Sequence, residues 1–113
     1  MSNNVFTIRI RGQNWKIRLL SFDMFIKTYG TAQSAITFPI ERLIVFNDED
    51  IKLSYTIHEL THAYFRASHT ISANLSTHQV EEVMCEMIGE FGPEIIKMSR
   101  KITKHLKTLS SEL

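Results

Sequence analysis

Three polar side chains in one short segment are spaced so that they can act together. The segment TIHELTHAYF, residues 56–65, holds His58 and His62 four positions apart and Glu59 directly after the first histidine. Because residues four apart on an α-helix lie one turn above each other, both imidazoles would face one point. Two such nitrogens are the usual start of a tetrahedral zinc site. Glu59 would lie beside that point and act as a general base toward water activated by the ion, which is the HExxH arrangement.

Charge along the chain favours a cation in the same region. Residues 1–40 carry five basic residues and one acid, and residues 91–113 carry five basic residues and two acids. Residues 41–90, which include the histidine pair, carry nine acids and three basic residues, although the whole chain has a net charge of only +1. A negative field of this kind raises the local concentration of cations.

Two segments together resemble a known family. LSYTIHELTHAYF, followed after a polar loop by QVEEVMCEMIGEF, is similar to the gluzincin type of zincin metallopeptidase, in particular to small bacterial and phage members of the ImmA/IrrE group. The likeness covers about Leu43 to Phe91. It implies a zinc-dependent hydrolase whose third ligand is a glutamate on a second helix. It also implies a protein or peptide substrate, such as a transcriptional repressor, whose extended backbone pairs with an edge strand at Leu43–Phe46.

The choice of the third ligand rests on helical phase. In the second segment, apolar residues recur at helical spacing, namely Val80, Met84, Met87 and Phe91. At about 100° per residue, Glu81 lies at the edge of this stripe and Glu82 lies nearly opposite it. We therefore predict that Zn²⁺ is bound by His58, His62 and Glu81, with Glu82 as the alternative third ligand and Glu59 as the catalytic base.

The N-terminal half of the chain predicts a small sheet. VFTIRIRGQNWKIRLL alternates apolar and basic residues around RGQN, which indicates a β-hairpin. SFDMFIKTYG predicts a short helix that is capped by Ser21 and ends at Gly30. Pro39 limits the preceding AITF to an edge strand at most. Residues 42–47 are rich in β-branched and aromatic residues and predict a further strand.

The C-terminal half predicts helices. Apolar spacing from Ile51 to about Ser68 indicates the helix that carries the histidines. Gly92 and Pro93 are expected to end the second helix, and a last helix is expected from Glu94 to about Leu109. It would turn four apolar residues inward (Ile95, Ile102, Leu106, Leu109) and five basic ones outward (Lys97, Arg100, Lys101, Lys104, Lys107). The prediction is one α+β domain, residues 1–113, with a mostly antiparallel sheet packed against the HExxH helix and two further helices.

Other polar residues have weaker roles in this interpretation. His69 or His78 would steady an oxyanion from the loop, or simply be solvated. Cys85 would be an inert core thiol rather than a nucleophile, because it lies close to the apolar stripe and no base stands at a telling position. As the only cysteine, it excludes an internal disulfide framework and fits a reducing compartment.

Two other functions remain open from the sequence. One is a zinc-containing regulatory or binding module with little proteolytic activity. The other is a small basic DNA-associated phage protein in which the histidine motif is a coincidence. Nucleic acid is not the expected partner, since the chain has no recognition motif and no interleaved aromatic residues. No apolar run reaches the length of a membrane span and no signal peptide is evident, so we expect a cytoplasmic protein without a membrane partner.

Overall fold

A computed structural model describes residues 4–68 and 76–112, and within these ranges the fold is α+β. The strands are β1 (Val5–Ile10), β2 (Gln13–Leu20), β3 (Ala35–Phe38) and β4 (Leu43–Asn47). The helices are α1 (Phe22–Tyr29), α2 (Leu53–Ser68) and α3 (Thr77–Ser110). The sheet order is β1-β2-β4-β3, with antiparallel β1/β2 and β3/β4 pairs and a parallel β2/β4 pair. The predicted fold class, with a mostly antiparallel sheet, is confirmed.

The N-terminal hairpin forms where the alternation predicts it. Arg11 and Gly12 occupy its two-residue turn with φ values of 51° and 79°, as the favoured turn of a right-twisted hairpin requires. The apolar residues of β2 point to one face and are fully or almost fully buried, namely Trp15, Ile17 and Leu19. The hairpin therefore supplies one wall of the core on which α2 and α3 pack.

Helix α1 packs on part of the second face of the sheet. Its first turn is capped by Ser21, whose hydroxyl accepts from the backbone N–H of Met24, and it ends at Gly30 in the left-handed conformation. Phe25 is fully buried, and the Tyr29 ring packs against Phe38 of β3 at 5.3 Å between centroids. Through these contacts α1 packs on one face of β3, and α2 packs on the opposite face.

The expectation that Leu43–Phe46 forms a substrate-pairing edge strand is wrong. β4 lies inside the sheet and pairs with β2 on one side and β3 on the other. Ile44, Val45 and Phe46 are all buried, so both faces of β4 are covered, as a continuous apolar run favours. The edge beside α2 belongs instead to β3, the segment that Pro39 limits to an edge position.

The predicted helix end at Gly92–Pro93 is also wrong, because α3 is continuous over 34 residues. Pro93 removes one backbone donor and crowds the preceding turn, but its ring is exposed, and Met87 and Ile95 are buried on either side of it. Packing on both flanks holds the helix together across the proline. Despite its length, α3 is too polar to cross a bilayer, and no other helix in residues 4–68 and 76–112 combines the length and the apolarity that this requires.

Candidate functional site

Helix α2 is fixed by one face and presents the other to solvent. Leu60, Ala63 and Tyr64 are fully buried against the sheet and α3. The buried Thr56 hydroxyl lies 2.7 Å from the hydroxyl of Thr103 in α3, which adds a polar link between the two helices. The exposed face carries a row of cationic or imidazole side chains four residues apart, namely His58, His62 and Arg66. This face is therefore presented by a helix whose position is set by the core.

The two histidines converge as the spacing predicts. The Nε2 atoms of His58 and His62 lie 3.2 Å apart, with the ring planes inclined at 77°. Two nitrogens that bind a tetrahedral zinc ion at about 2.0–2.1 Å lie roughly 3.3–3.4 Å from each other. The observed separation is thus close to that of two adjacent zinc ligands. A hydrogen bond between these two atoms would require a hydrogen on one Nε2 and a free lone pair on the other.

Glu59 is a buried carboxylate at the border of the histidine pair. Its residue is only 8% exposed. The Thr37 hydroxyl of β3 donates to Glu59 Oε1 at 2.7 Å, and Glu59 Oε2 lies 3.8 Å from His58 Nε2. One carboxylate oxygen is therefore held by the edge strand, and the other lies on the side of His58. A carboxylate in this place is beside the point that the histidines share, as the HExxH pattern requires of a base.

Open pockets surround the pair. The first, of about 520 Å³, lies between α2 and α3 and is lined by His58, Thr61, His62, Phe65, Arg66 and Met84. The second, of about 380 Å³, lies between α2 and β3; its α2 side is formed by His58, Glu59, His62 and Arg66. A third, of about 490 Å³, reaches the start of α2, with Ser54, Tyr55 and Ser34 around His58 and Glu59. A ligand bound at the histidines would thus have room on both sides of α2.

The structure does not bring the predicted third ligand to the pair. Over residues 4–68 and 76–112, no three His, Cys, Asp or Glu side chains are grouped so that they could hold a metal ion. Glu81 and Glu82 are both exposed in the first turns of α3, and Glu82 Oε1 lies 3.9 Å from His78 Nε2. Glu81 precedes the pocket residue Met84 by three positions, so it lies nearly one turn away along a nearby face of α3. Glu81 as a ligand stays a prediction.

The expectation for Cys85 is wrong, because its side chain is exposed rather than part of the core. Part of the apolar stripe from which that expectation came is also exposed, since Val80 is 40% exposed. Ile88, an apolar residue next to Met87 of the stripe, is 49% exposed. At about 1.5 Å per residue, α3 is roughly 51 Å long and α2 roughly 24 Å, so α2 cannot cover all of α3. His78 is exposed on α3, and His69 lies outside the described residues.

Two residues at the site were not foreseen from the sequence. Thr37, which holds Glu59, lies 22 positions away on another element, and no local pattern links the two. Arg66 continues the row of His58 and His62 at the same spacing of four and lines two of the three pockets. That spacing was a usable signal for Arg66.

Comparisons of the chain with protein-family models, with curated proteins and with solved structures give no significant match. The geometry of the site is therefore the main support for any proposed function.

Proposed function

We propose that this chain is a zinc-dependent metallopeptidase in which His58 and His62 bind Zn²⁺, Glu81 supplies the third ligand and Glu59 is the catalytic base. The observation that carries the proposal is the 3.2 Å separation of the two Nε2 atoms, with the Glu59 carboxylate beside them. Two imidazole nitrogens and a carboxylate are donors that zinc accepts. When bound, the ion would polarise the scissile carbonyl and lower the pKa of water.

The roles of the protein groups follow from their positions. Thr37 donates to Oε1 of Glu59 and so fixes the carboxylate plane. Oε2, on the side of the histidines, accepts the proton of the attacking water and afterwards gives it to the nitrogen of the departing amine. Because Glu59 is buried, little rearrangement of solvent accompanies these transfers. Thr37 is in this account a positioning residue for the base.

An extended peptide is the substrate that the surroundings accommodate. Among the strands of the described residues, β3 pairs with β4 alone, and the second pocket runs between β3 and the histidines. A peptide could add to the free side of β3 by backbone hydrogen bonds and pass beside Glu59. The likeness to the ImmA/IrrE group suggests a regulatory protein of repressor type as the source of that peptide, and a cytoplasmic phage or prophage setting.

One observation favours a second candidate, a zinc-containing binding module with little proteolysis. Glu81 and Glu82 are exposed and are not grouped with the histidines in the described part of the chain. A site held by two histidines alone would bind zinc more weakly and would leave Glu59 without a strongly activated water. The two candidates share the metal and differ in the chemistry.

Glu59→Gln separates them, because it keeps the shape of the side chain and removes the base. The zinc-loaded wild type should cleave unstructured peptides or a repressor-type substrate. Glu59→Gln should lose about 10²–10⁴-fold in rate while it keeps its zinc. Glu41→Gln, a change of an exposed glutamate away from the histidines, is the matched control and should keep full activity. A mutant that loses its zinc would make Glu59 a ligand, and an inactive wild type that binds zinc would favour the binding module.

A further inference from the structure

Arg66 occupies a place at the site that the catalytic account does not use. It follows His62 by four residues, so it lies about 6 Å further along the helix axis on the same face. It lines the pocket between α2 and α3 together with Phe65 and Met84, and it also lines the pocket between α2 and β3. Arg66 therefore borders the space on both sides of the histidine pair.

The charge of Arg66 has no counterion within residues 4–68 and 76–112. The ion pairs in this part of the chain involve other cations, such as Arg11, whose Nη1 lies 3.8 Å from Glu90 Oε1. Arg9 is also engaged, because its Nη1 donates to Asn14 Oδ1 at 3.0 Å. A guanidinium carries five N–H donors in a fork that matches a carboxylate, so Arg66 is free to bind one from another molecule.

The pocket between α2 and β3 determines how far a substrate carboxylate that binds Arg66 would lie from the scissile bond. Thr37 meets Glu59 in this pocket, which Pro39 and Arg66 also line. Ala35, at the other end of β3, lines the pocket at the start of α2. β3 and α2 therefore run in the same direction, and the Pro39 end of β3 lies toward Arg66. An extended peptide advances about 3.3–3.4 Å per residue, so the 6 Å from His62 to Arg66 corresponds to roughly two residues. Side chains of residues two positions apart on a strand point to the same face. One bound peptide can therefore place one residue at the reacting centre and the side chain of another at Arg66.

We infer that Arg66 is a specificity-determining residue that selects peptides with an acidic side chain about two residues from the scissile bond, on the side of Pro39. The inference rests on the proposed function, since it names the class of substrate for that site. Arg66 would bind the side-chain carboxylate of Asp or Glu through two parallel N–H···O bonds. It takes no part in the proton transfers.

The test compares two peptides that differ only in Glu or Gln, with the variable position scanned on each side of the cleaved bond. For wild type, kcat/KM should be about tenfold higher for Glu than for Gln at one position only, as expected for a hydrogen bond to a charged group. Arg66→Gln should bring that ratio close to one, and Arg66→Glu should favour a Lys peptide. Arg100→Gln, a change of an exposed arginine on α3, is the matched control and should keep the wild-type ratio. Zinc content is measured for every variant.

A binding measurement makes the inference independent of turnover. Fluorescently labelled Glu and Gln peptides are titrated with zinc-loaded Glu59→Gln protein, with and without Arg66→Gln. Tighter binding of the Glu peptide that depends on Arg66 supports the inference even if no peptide is cleaved, in which case only the proposed catalysis fails. Cleavage that depends on Glu59, together with equal binding and equal kcat/KM for both peptides, overturns the role of Arg66 and leaves the proposed function standing.

Discussion

The two halves of α3 differ sharply in how they meet the rest of the molecule. From Ile95 to Leu106 a buried residue recurs about every turn, in the series Ile95, Ser99, Ile102, Thr103 and Leu106. From Thr77 to Glu90 only Met87 is buried. Side-chain hydrogen bonds from α2 also reach the C-terminal half of α3, from Thr56 to Thr103 and from Tyr64 to Glu94 and Met98. One end of the helix is anchored, and the other end projects past the core.

This difference matters because the proposed site draws on both kinds of structure. His58, His62 and Glu59 belong to α2, which is fixed by Leu60 and Tyr64. Glu81 belongs to the half of α3 that has little core contact. In such a site, the histidines and the base are positioned by folding, and a bound ion would supply the link to the first turns of α3. Metal binding should then stabilise the N-terminal end of α3, and the C-terminal end should stay packed on the core with or without the metal.

The largest effect should appear when one apolar side chain in each half of α3 is replaced by alanine. Leu106→Ala should lower the free energy of unfolding by about 2–5 kcal/mol, because it removes a fully buried side chain from the core. Val80→Ala, a comparable truncation in the projecting half, should change it by less than about 0.5 kcal/mol. Chemical denaturation of both variants measures this contrast, and equal losses would show that the N-terminal half is packed after all.

The next effect concerns the ligand from the projecting half. Glu81→Ala should weaken zinc binding by about 100-fold or more, because even a partner that only supports a ligand typically contributes about 10–100-fold. Glu82→Ala removes neither a predicted ligand nor a partner of one and should weaken binding by less than about tenfold. Competition with a chromophoric chelator gives both affinities. A loss confined to Glu82→Ala would mean that the helical phase assigned to the site is wrong, and no loss in either would leave the histidines without a partner from α3.

A smaller effect should come from the anchored half through pH. Burial, and then the hydrogen bond to Glu94, raise the pKa of Tyr64 far above its usual value of 10.0. The folded chain keeps this proton where the unfolded chain loses it, so the contribution to stability is complete below about pH 10 and is lost as pH rises further. The free energy of unfolding of wild type should therefore fall more steeply above pH 10 than that of Tyr64→Phe. Tyr29→Phe is the control and should keep the wild-type slope, because the Tyr29 hydroxyl makes no hydrogen bond within residues 4–68 and 76–112.

The parts of the fold that could be predicted are those with local causes. The turn at Arg11–Gly12 and the helix between Ser21 and Gly30 follow from backbone preferences and caps within a few residues. The convergence of His58 and His62 follows from helix geometry alone. Each of these features needs only the residue types and their spacing, so the sequence was sufficient.

The parts that could not be predicted depend on contacts between distant segments. Nothing in the sequence near Pro93 indicates that packing on both sides of the proline would keep α3 helical there. Likewise, nothing in the segment LIVFN indicates that β3 would pair with β4 and so remove it from the edge of the sheet. The support of Glu59 by Thr37 joins α2 to a strand 22 residues away. Cys85 is exposed on the half of α3 that has little core contact. The apolar stripe of α3 alone does not indicate how much of that helix α2 is long enough to cover.

Zinc binding by the histidine pair is the central claim, and a zinc titration of the metal-free protein tests it most directly. Wild type should bind one zinc ion per chain, and its melting temperature should fall on chelation. His58→Ala and His62→Ala should each weaken binding by at least about 100-fold, because each removes a direct ligand. His78→Ala, a change of an exposed histidine on α3, should bind like wild type. Absence of stoichiometric zinc in wild type, or an equal affinity in all three variants, would contradict the account.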